Sequence, residues 1–385
     1  MNKIISSLSK MWLKVINLEK SLFPELQESL GTLSTKEEKL IKILDFAEIE
    51  KNITVNNITN IKKDREQIAR AFIAKSVYNL QTTADLLDRL RIDRTLRVIC
   101  GWRYANAIPS EATFSRAFKE MSDLQIAQKT HEQFVQTYLS DTLFFYNATD
   151  ATRIPLREKS VKVEKEKKTK AKRGRPKKGE IREPKVPTVL QQQQQMGTVN
   201  EMLTLVSTKC GVGIKQNSKG NRDVWVGGKL HISVVDGDIP ITAFYSGANV
   251  HDSALALPLI QETSRRVNYL FDLQDAGYDA DIIREFSLKH NHRPIIDINP
   301  KNSKKLKDKV DLIKEEKKKF KLFNLTPSSD IHHYNQRSMV ERVNAYLKDS
   351  FGCEKIYYRG APKVASTLSF GVLSVCIHQS LKLVT

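Results

Sequence analysis

Cysteine is scarce. Cys100, Cys210, Cys353 and Cys376 are scattered through 385 residues, and no two form a C-x-x-C pair. That excludes a disulfide framework, argues against a zinc ribbon and makes a reduced, cytosolic setting natural. A long uninterrupted apolar run is also missing. The richest segment, Val364 to Val384, is broken by Ser366, Ser369, Gly371, His378, Gln379 and Lys382. It reads as a buried C-terminal helix, and no membrane span is expected. The N-terminus has lysines but neither an apolar stretch nor a cleavage site, so no secretory leader is expected. Acid is under-represented: 44 Asp and Glu stand against 63 Lys and Arg, a formal net charge of +19. A balance of that size favours a polyanionic partner, nucleic acid before membrane, over a merely soluble basic protein. Hydrophobic residues at 40% allow two or three domains with sizeable cores.

Residues 1–65 are mixed, with short helices expected from Ile4 to Leu18 and from Lys36 to Glu50. Residues 66–140 read as all-helical. Thr83 is a candidate cap for a helix carrying Leu86, Leu87 and Leu90. After the break at Ile108-Pro109-Ser110, Phe114, Ala117, Phe118 and Met121 form an i, i+3, i+4, i+7 stripe. The opposite face offers Arg116 and Lys119. Two helices joined by a short Pro-containing turn suit a helix-turn-helix DNA-binding module, with a plain helical bundle as the alternative.

Leu143 to Asp150 is an aromatic run that predicts a core strand delivering Asp150 at its end, with Asp141 a weaker competitor. From Lys159 to Pro187 there are thirteen Lys or Arg against four Asp or Glu, with almost no apolar content, so mobility is expected. Within it, Lys172-Arg173-Gly174-Arg175-Pro176-Lys177 resembles an AT-hook. In that reading Arg173 and Arg175 enter a narrow A·T-rich minor groove; the alternative is a solvated linker touching phosphates. Gln191 to Gln195 reads as a spacer closing the insert. Strands follow from Val224 to Val235 and from Ile239 to Tyr245 around an Asp236-Gly237-Asp238 turn. Val250-His251-Asp252-Ser253 opens a helix, with Asp252 or Ser253 as its cap. Tyr269 to Asp279 is a second acidic strand end, where Asp272, Asp275 and Asp279 compete, and a helix spans Asp281 to Lys289. Pro294 to Pro300 is another core strand. Lys301 to Lys321 is a second basic run.

The most informative stretch is Tyr334 to Lys348. Tyr334, Arg337 and Lys348 lie at −7, −4 and +7 from Glu341, within roughly 60° of one another on a helix. Val340, Val343 and Leu347 point elsewhere, as anchors to a core. Read alone, the pattern also fits a solvated face with an Arg337–Glu341 pair. Its order and gaps resemble the Y-R-E-K signature of bacterial insertion-sequence transposases of the DDE type. The Asp150-Ala151-Thr152 stretch, with Arg157-Glu158-Lys159 behind it, resembles that family's first aspartate motif. Asp275-Ala276-Gly277-Tyr278-Asp279 resembles the second.

The resemblance spans roughly residues 70 to 385 and implies an α/β fold: an RNase H-like mixed-sheet catalytic domain preceded by an all-helical DNA-binding domain. The expected division is 1–65, 66–140 and 141–385, with a basic, Gln-rich disordered insert at 159–200 that is read from composition and departs from compact members of the family. The resemblance implies that Asp150, Asp275 and Glu341 are catalytic and bind two Mg²⁺ ions, Mn²⁺ being a substitute, while Tyr334, Arg337 and Lys348 support them. The implied partners are terminal inverted repeats and target DNA, with a homodimer in the synaptic complex and a cytoplasmic, nucleoid-associated location. The implied activity is end cleavage followed by joining of the 3′-OH to target DNA. Rival readings are an inactive DNA-binding relative, a nuclease on the same fold, and, more remotely, a zinc protein using His290, His292, His332 and His333.

Overall fold

A computed structural model describes residues 6–55, 64–161, 186–216, 220–300, 303–323 and 329–385. The N-terminal part is helical. α1 (Ser7–Asn17) passes through a π segment into α2 (Phe23–Leu30), followed by α3 (Thr35–Ala47), α4 (Ile49–Val55), α5 (Arg65–Val77), α6 (Thr83–Ile92), α7 (Arg94–Cys100), α8 (Glu111–Asp123) and α9 (Ile126–Tyr138). The caps explain several of these starts. Ser34 opens α3 with a capping box completed by Glu37, and Thr82, not Thr83, does the same for α6 with Asp85. α8 starts after Ser110 and buries the expected stripe of Phe114, Ala117, Phe118 and Met121. A third helix, α7, and a 3₁₀ turn at Ala105–Ala107 lie between α6 and α8, so the two are not the adjacent pair the sequence implied.

The second part is a six-stranded mixed sheet. Its strands are β1 (Leu143–Pro155), β2 (Gly211–Gln216), β3 (Arg222–Val235), β4 (Ile239–Gly247), β5 (Asn268–Gln274) and β6 (Arg293–Ile296), in the order β2-β3-β1-β5-β6 with β4 also on β3. β1 pairs antiparallel with β3 and parallel with β5, and β5 is parallel to β6. An antiparallel meander continuing into parallel strands with helical crossovers is the expected RNase H-like α/β arrangement. Gly227 is required where β3 passes β1: its φ is +154°, and a Cβ there would lie 2.1 Å from the Ile154 carbonyl oxygen.

The remaining helices are α10 (Val189–Gln193), α11 (Val199–Thr204), α12 (Ala256–Arg266), α13 (Asp281–Lys289), α14 (Lys304–Phe323), α15 (Ser329–Asn335), α16 (Ser338–Ser350) and α17 (Ala361–Leu381). α17 is long and apolar enough to cross a membrane, but it lies in the core, packed on α9, β4, α5 and α8. One apolar cluster runs from Met11 to Leu381 and joins helical and sheet parts.

Three expectations need correction. The glutamine run is not a spacer: Gln193 is fully buried in α10, and its Nε2 donates to the carbonyls of Met202 and Ala254. Asp150 lies within β1 rather than at its end, because pairing with β3 extends the strand to Pro155. Tyr334 to Lys348 is not one helix. α15 ends at Asn335, and i→i+3 bonds from Arg337 N to Tyr334 O and from Met339 N to Gln336 O tighten the chain before α16. Packing decides that break. His333 stacks on Phe271 and bonds Tyr146 Oη, fixing α15, while Met339, Val340, Val343 and Leu347 seat α16 in the core.

Candidate functional site

The parallel register of β1 and β5 aligns the two aspartates. Ala148 is opposite Leu273, and Asp150 and Asp275 each lie two residues farther on. They feel one another: burial raises the Asp150 carboxyl to about 6, and the nearby Asp275 charge adds to that rise. The Ala151 amide, Arg337 and Lys215 act in the opposite direction. Asp275 caps the 3₁₀ turn Ala276–Tyr278, with Oδ1 accepting from the Gly277 amide at 2.8 Å.

Arg337 is the hub. Burial opposes its charge, and Tyr334, Glu341, Asp150 and Asp275 together outweigh that opposition, raising its pKa. Its Nη2 donates to Glu341 Oε1 at 2.5 Å. Glu341 itself is 56% exposed on the first turn of α16. Tyr334 lies beside the guanidinium, 5.8 Å from ring centroid to Cζ, and its phenol bonds to Asp297. Burial, then Asp297, raises that phenol.

Lys348 is set apart from the acids. Burial lowers its pKa, and its charged neighbours are Glu354, Arg153, Lys215 and Asp349. Lys215, Arg153 and Lys348 thus form a cationic group leading from Asp150 toward the β2–β3 hairpin, where Arg153 also pairs with Asp223.

The competing acids each have partners of their own. Asp141 Oδ2 accepts from the Ser7 amide at the start of α1. Asp272 is wholly buried, with Asn147 Nδ2 and Ser287 Oγ donating to its two oxygens. Asp279 pairs with Arg284 and accepts from the Asn299 amide. Asp252 binds Lys229 at 2.8 Å, and His251, not Asp252 or Ser253, supplies the cap by accepting from Ser253 N. The histidines serve other partners: His292 bonds Ser264 and the Tyr269 carbonyl, and His290 bonds the Phe286 carbonyl within its own helix. Sequence reasoning missed Asp297 and Lys215. It carried the strand from Pro294 to Pro300, whereas β6 ends at Ile296, so Asp297 follows the strand end and no local signal marked it.

Arg116 and Lys119 are exposed on α8, the first donating to Thr113 Oγ1 and the second paired with Asp123. Arg173 and Arg175 lie outside the described residues.

Two aspartate carboxylates on neighbouring parallel strands, Asp150 within β1 and Asp275 just past the end of β5, one of them destabilised as an anion by burial, are a donor set that suits a hard divalent cation. Glu341 does not join them in this geometry: its carboxylate is held by Arg337, and among the described residues no three His, Cys, Asp or Glu side chains form a metal-sized group.

Two family models match. The transposase DDE domain covers residues 147–377, and a transposase domain (DUF772) covers residues 25–120. No curated protein and no solved structure matches the chain.

Proposed function

The chain belongs to the family of DDE transposases, and from that premise we propose that it cuts DNA at the ends of its own mobile element and joins the freed 3′-OH ends to target DNA. The observation that carries this reading is the alignment of Asp150 and Asp275 across parallel strands, with Arg337 reaching both and Glu341. Asp150 and Asp275 would hold Mg²⁺, or Mn²⁺ in its place, and Glu341 would complete the set once released from Arg337. A bound pair of such ions supplies Lewis-acid stabilisation of the attacking and leaving oxygens of an in-line phosphoryl transfer.

The chain's own residues do the rest. Arg337, with two aspartates and a glutamate around it, exchanges carboxylate partners for a phosphate oxygen as DNA arrives and so releases Glu341. Lys215, Arg153 and Lys348 bind the backbone leading away from Asp150. Tyr334, anchored on Asp297, orients Arg337 from the side. Arg116 and Lys119 on α8 present the helical part, residues 66–140, to the terminal repeats, and the Arg173/Arg175 segment adds minor-groove contacts. Two ends must be joined, so a homodimer assembles the synaptic complex. The setting is the bacterial cytoplasm beside the nucleoid.

The test is incubation of the full chain with a labelled end duplex and a target plasmid in Mg²⁺. Cleaved ends and covalent joint products support the reading. Nicks without joint products favour a nuclease on the same fold, and binding without nicks favours an inactive relative.

A further inference from the structure

The two strands that carry the aspartates also carry an aromatic platform. Tyr146 on β1 and Phe271 on β5 are register partners, and their rings stack with centroids 5.7 Å apart. Asp150 follows Tyr146 by four residues, and Asp275 follows Phe271 by four. An even spacing along extended backbone keeps side chains on one face, so platform and acids share a face, roughly 13 Å apart. Asp275 keeps that alternation just past β5, with φ −80° and ψ 175°.

His333 of α15 docks on this platform. Its ring stacks on Phe271 with centroids 4.4 Å apart and planes inclined by 20°, and its Nδ1 lies 2.8 Å from Tyr146 Oη. A seven-residue helix is too short to hold itself together, so α15 depends on these contacts and on buried Ile331. The backbone passes the dock on. The His333 carbonyl accepts from the Gln336 amide at 3.1 Å, and the Tyr334 carbonyl accepts from the Arg337 amide at 3.0 Å. Arg337 Nη2 in turn holds Glu341 Oε1. α16 has supports of its own. Met339, Val340, Val343 and Leu347 are buried, and Arg342 grips Asp238 through Nε at 2.9 Å and Nη2 at 2.6 Å. Arg337 is thus carried on a short link between two separately anchored helices, and His333 sets the α15 end of that link.

We propose that His333 is a positioning residue of the site: docked on Tyr146 and Phe271, it fixes the Arg337–Glu341 pair in relation to the strands that carry Asp150 and Asp275. The imidazole acts through the backbone from 333 to 337. A guanidinium that must meet a phosphate oxygen in a defined place is sensitive to a displacement of about 1 Å. The inference rests on the proposed role of Arg337 and adds what sets its place.

His333→Ala in the full chain is expected to lower kcat for end cleavage in Mg²⁺ about tenfold or more, with KM for end DNA unchanged. Amide hydrogen exchange, read without metal or DNA, follows the link itself. Gln336 and Arg337 are expected to exchange about tenfold faster, and Val343 of α16 at the parental rate. Tyr146→Phe keeps the ring and loses the hydroxyl. It is expected to lower kcat in the parent and not further in the His333→Ala background, because hydroxyl and imidazole form one contact. Unchanged kcat, unchanged exchange at Gln336 and Arg337, or equal losses from Tyr146→Phe in both backgrounds overturns the inference. Faster exchange that reaches Val343 also overturns it, since that marks a general loss of structure. Arg337→Ala assayed alone separates the two ideas. If it cleaves like the parent, the reading of Arg337 fails, while exchange still reports whether His333 holds the link.

Discussion

Arg337 Nη2 donates to Glu341 Oε1 at 2.5 Å across one turn of chain, and the same guanidinium lies in the field of Asp150 and Asp275. The ion pair is therefore a junction between the exposed acid and the two strand-borne ones. An arginine with more carboxylate neighbours than it can serve bidentately is poised to exchange one of them for phosphate.

Glu341→Gln is expected to abolish cleavage while leaving end binding largely intact, read as an unchanged shift of end DNA in a gel. Glu341 is more than half exposed and packs nothing, so the fold does not depend on it. Loss of binding together with cleavage would point to misfolding and sink the assignment.

Asp272 and Asp275 lie three residues apart and are expected to fail differently. Asp272→Ala leaves the buried Asn147 amide and Ser287 hydroxyl without their acceptors, a loss of roughly 1–3 kcal/mol for each. Asp275→Ala gives up one turn cap, about 1 kcal/mol, and all cleavage. Thermal unfolding and a cleavage assay on both variants check this; a stable, inactive Asp272→Ala protein would reverse the assignment.

Replacing Lys215 and Lys348 with Gln is expected to lower DNA affinity without sequence preference. Each substitution should reduce the slope of log K against log salt by about 0.9 if each lysine neutralises one phosphate. Fluorescence anisotropy between 50 and 200 mM salt, roughly the range in which such slopes are read, gives the number. An unchanged slope removes both lysines from the DNA path.

Stability should fall on mild acidification. Burial lowers His131 to about 3 and His231 to about 4, so both stay neutral in the fold. Their unfolded forms take up a proton near pH 6.5. Below that value the unfolded state binds more protons, and stability falls as pH drops toward 4, by at most about 1.4 kcal/mol per pH unit per histidine. Above pH 6.5 this contribution is fully present. Melting temperatures from pH 8 to pH 4.5 check the sign; stability rising between pH 6.5 and 5 would contradict it.

How much was legible without coordinates differs by element. The helical N-terminal part, the stripe of α8, the β3–β4 hairpin, α13 and the apolar anchors of α16 follow from local periodicity and turn chemistry. Each of those signals is carried by residues only a few positions apart. The acid pair was legible as two strand-borne aspartates, and as neighbours only through the family resemblance. That resemblance, not alternation, pointed to Asp275 over Asp272, since a strand covered on both faces loses its alternation.

By itself, then, the sequence determined a basic chain with a helical front, a mixed sheet and a set at Tyr334, Arg337, Glu341 and Lys348 that resembles a family signature. Tertiary structure alone decided that these four do not share a helix. Stacking of His333 on Phe271 and burial of Val340 and Val343 pull α15 and α16 to different supports. It also decided that Gln193 is core rather than spacer, and that Tyr278 is buried. Those outcomes depend on contacts between segments tens to hundreds of residues apart, to which local propensity is blind.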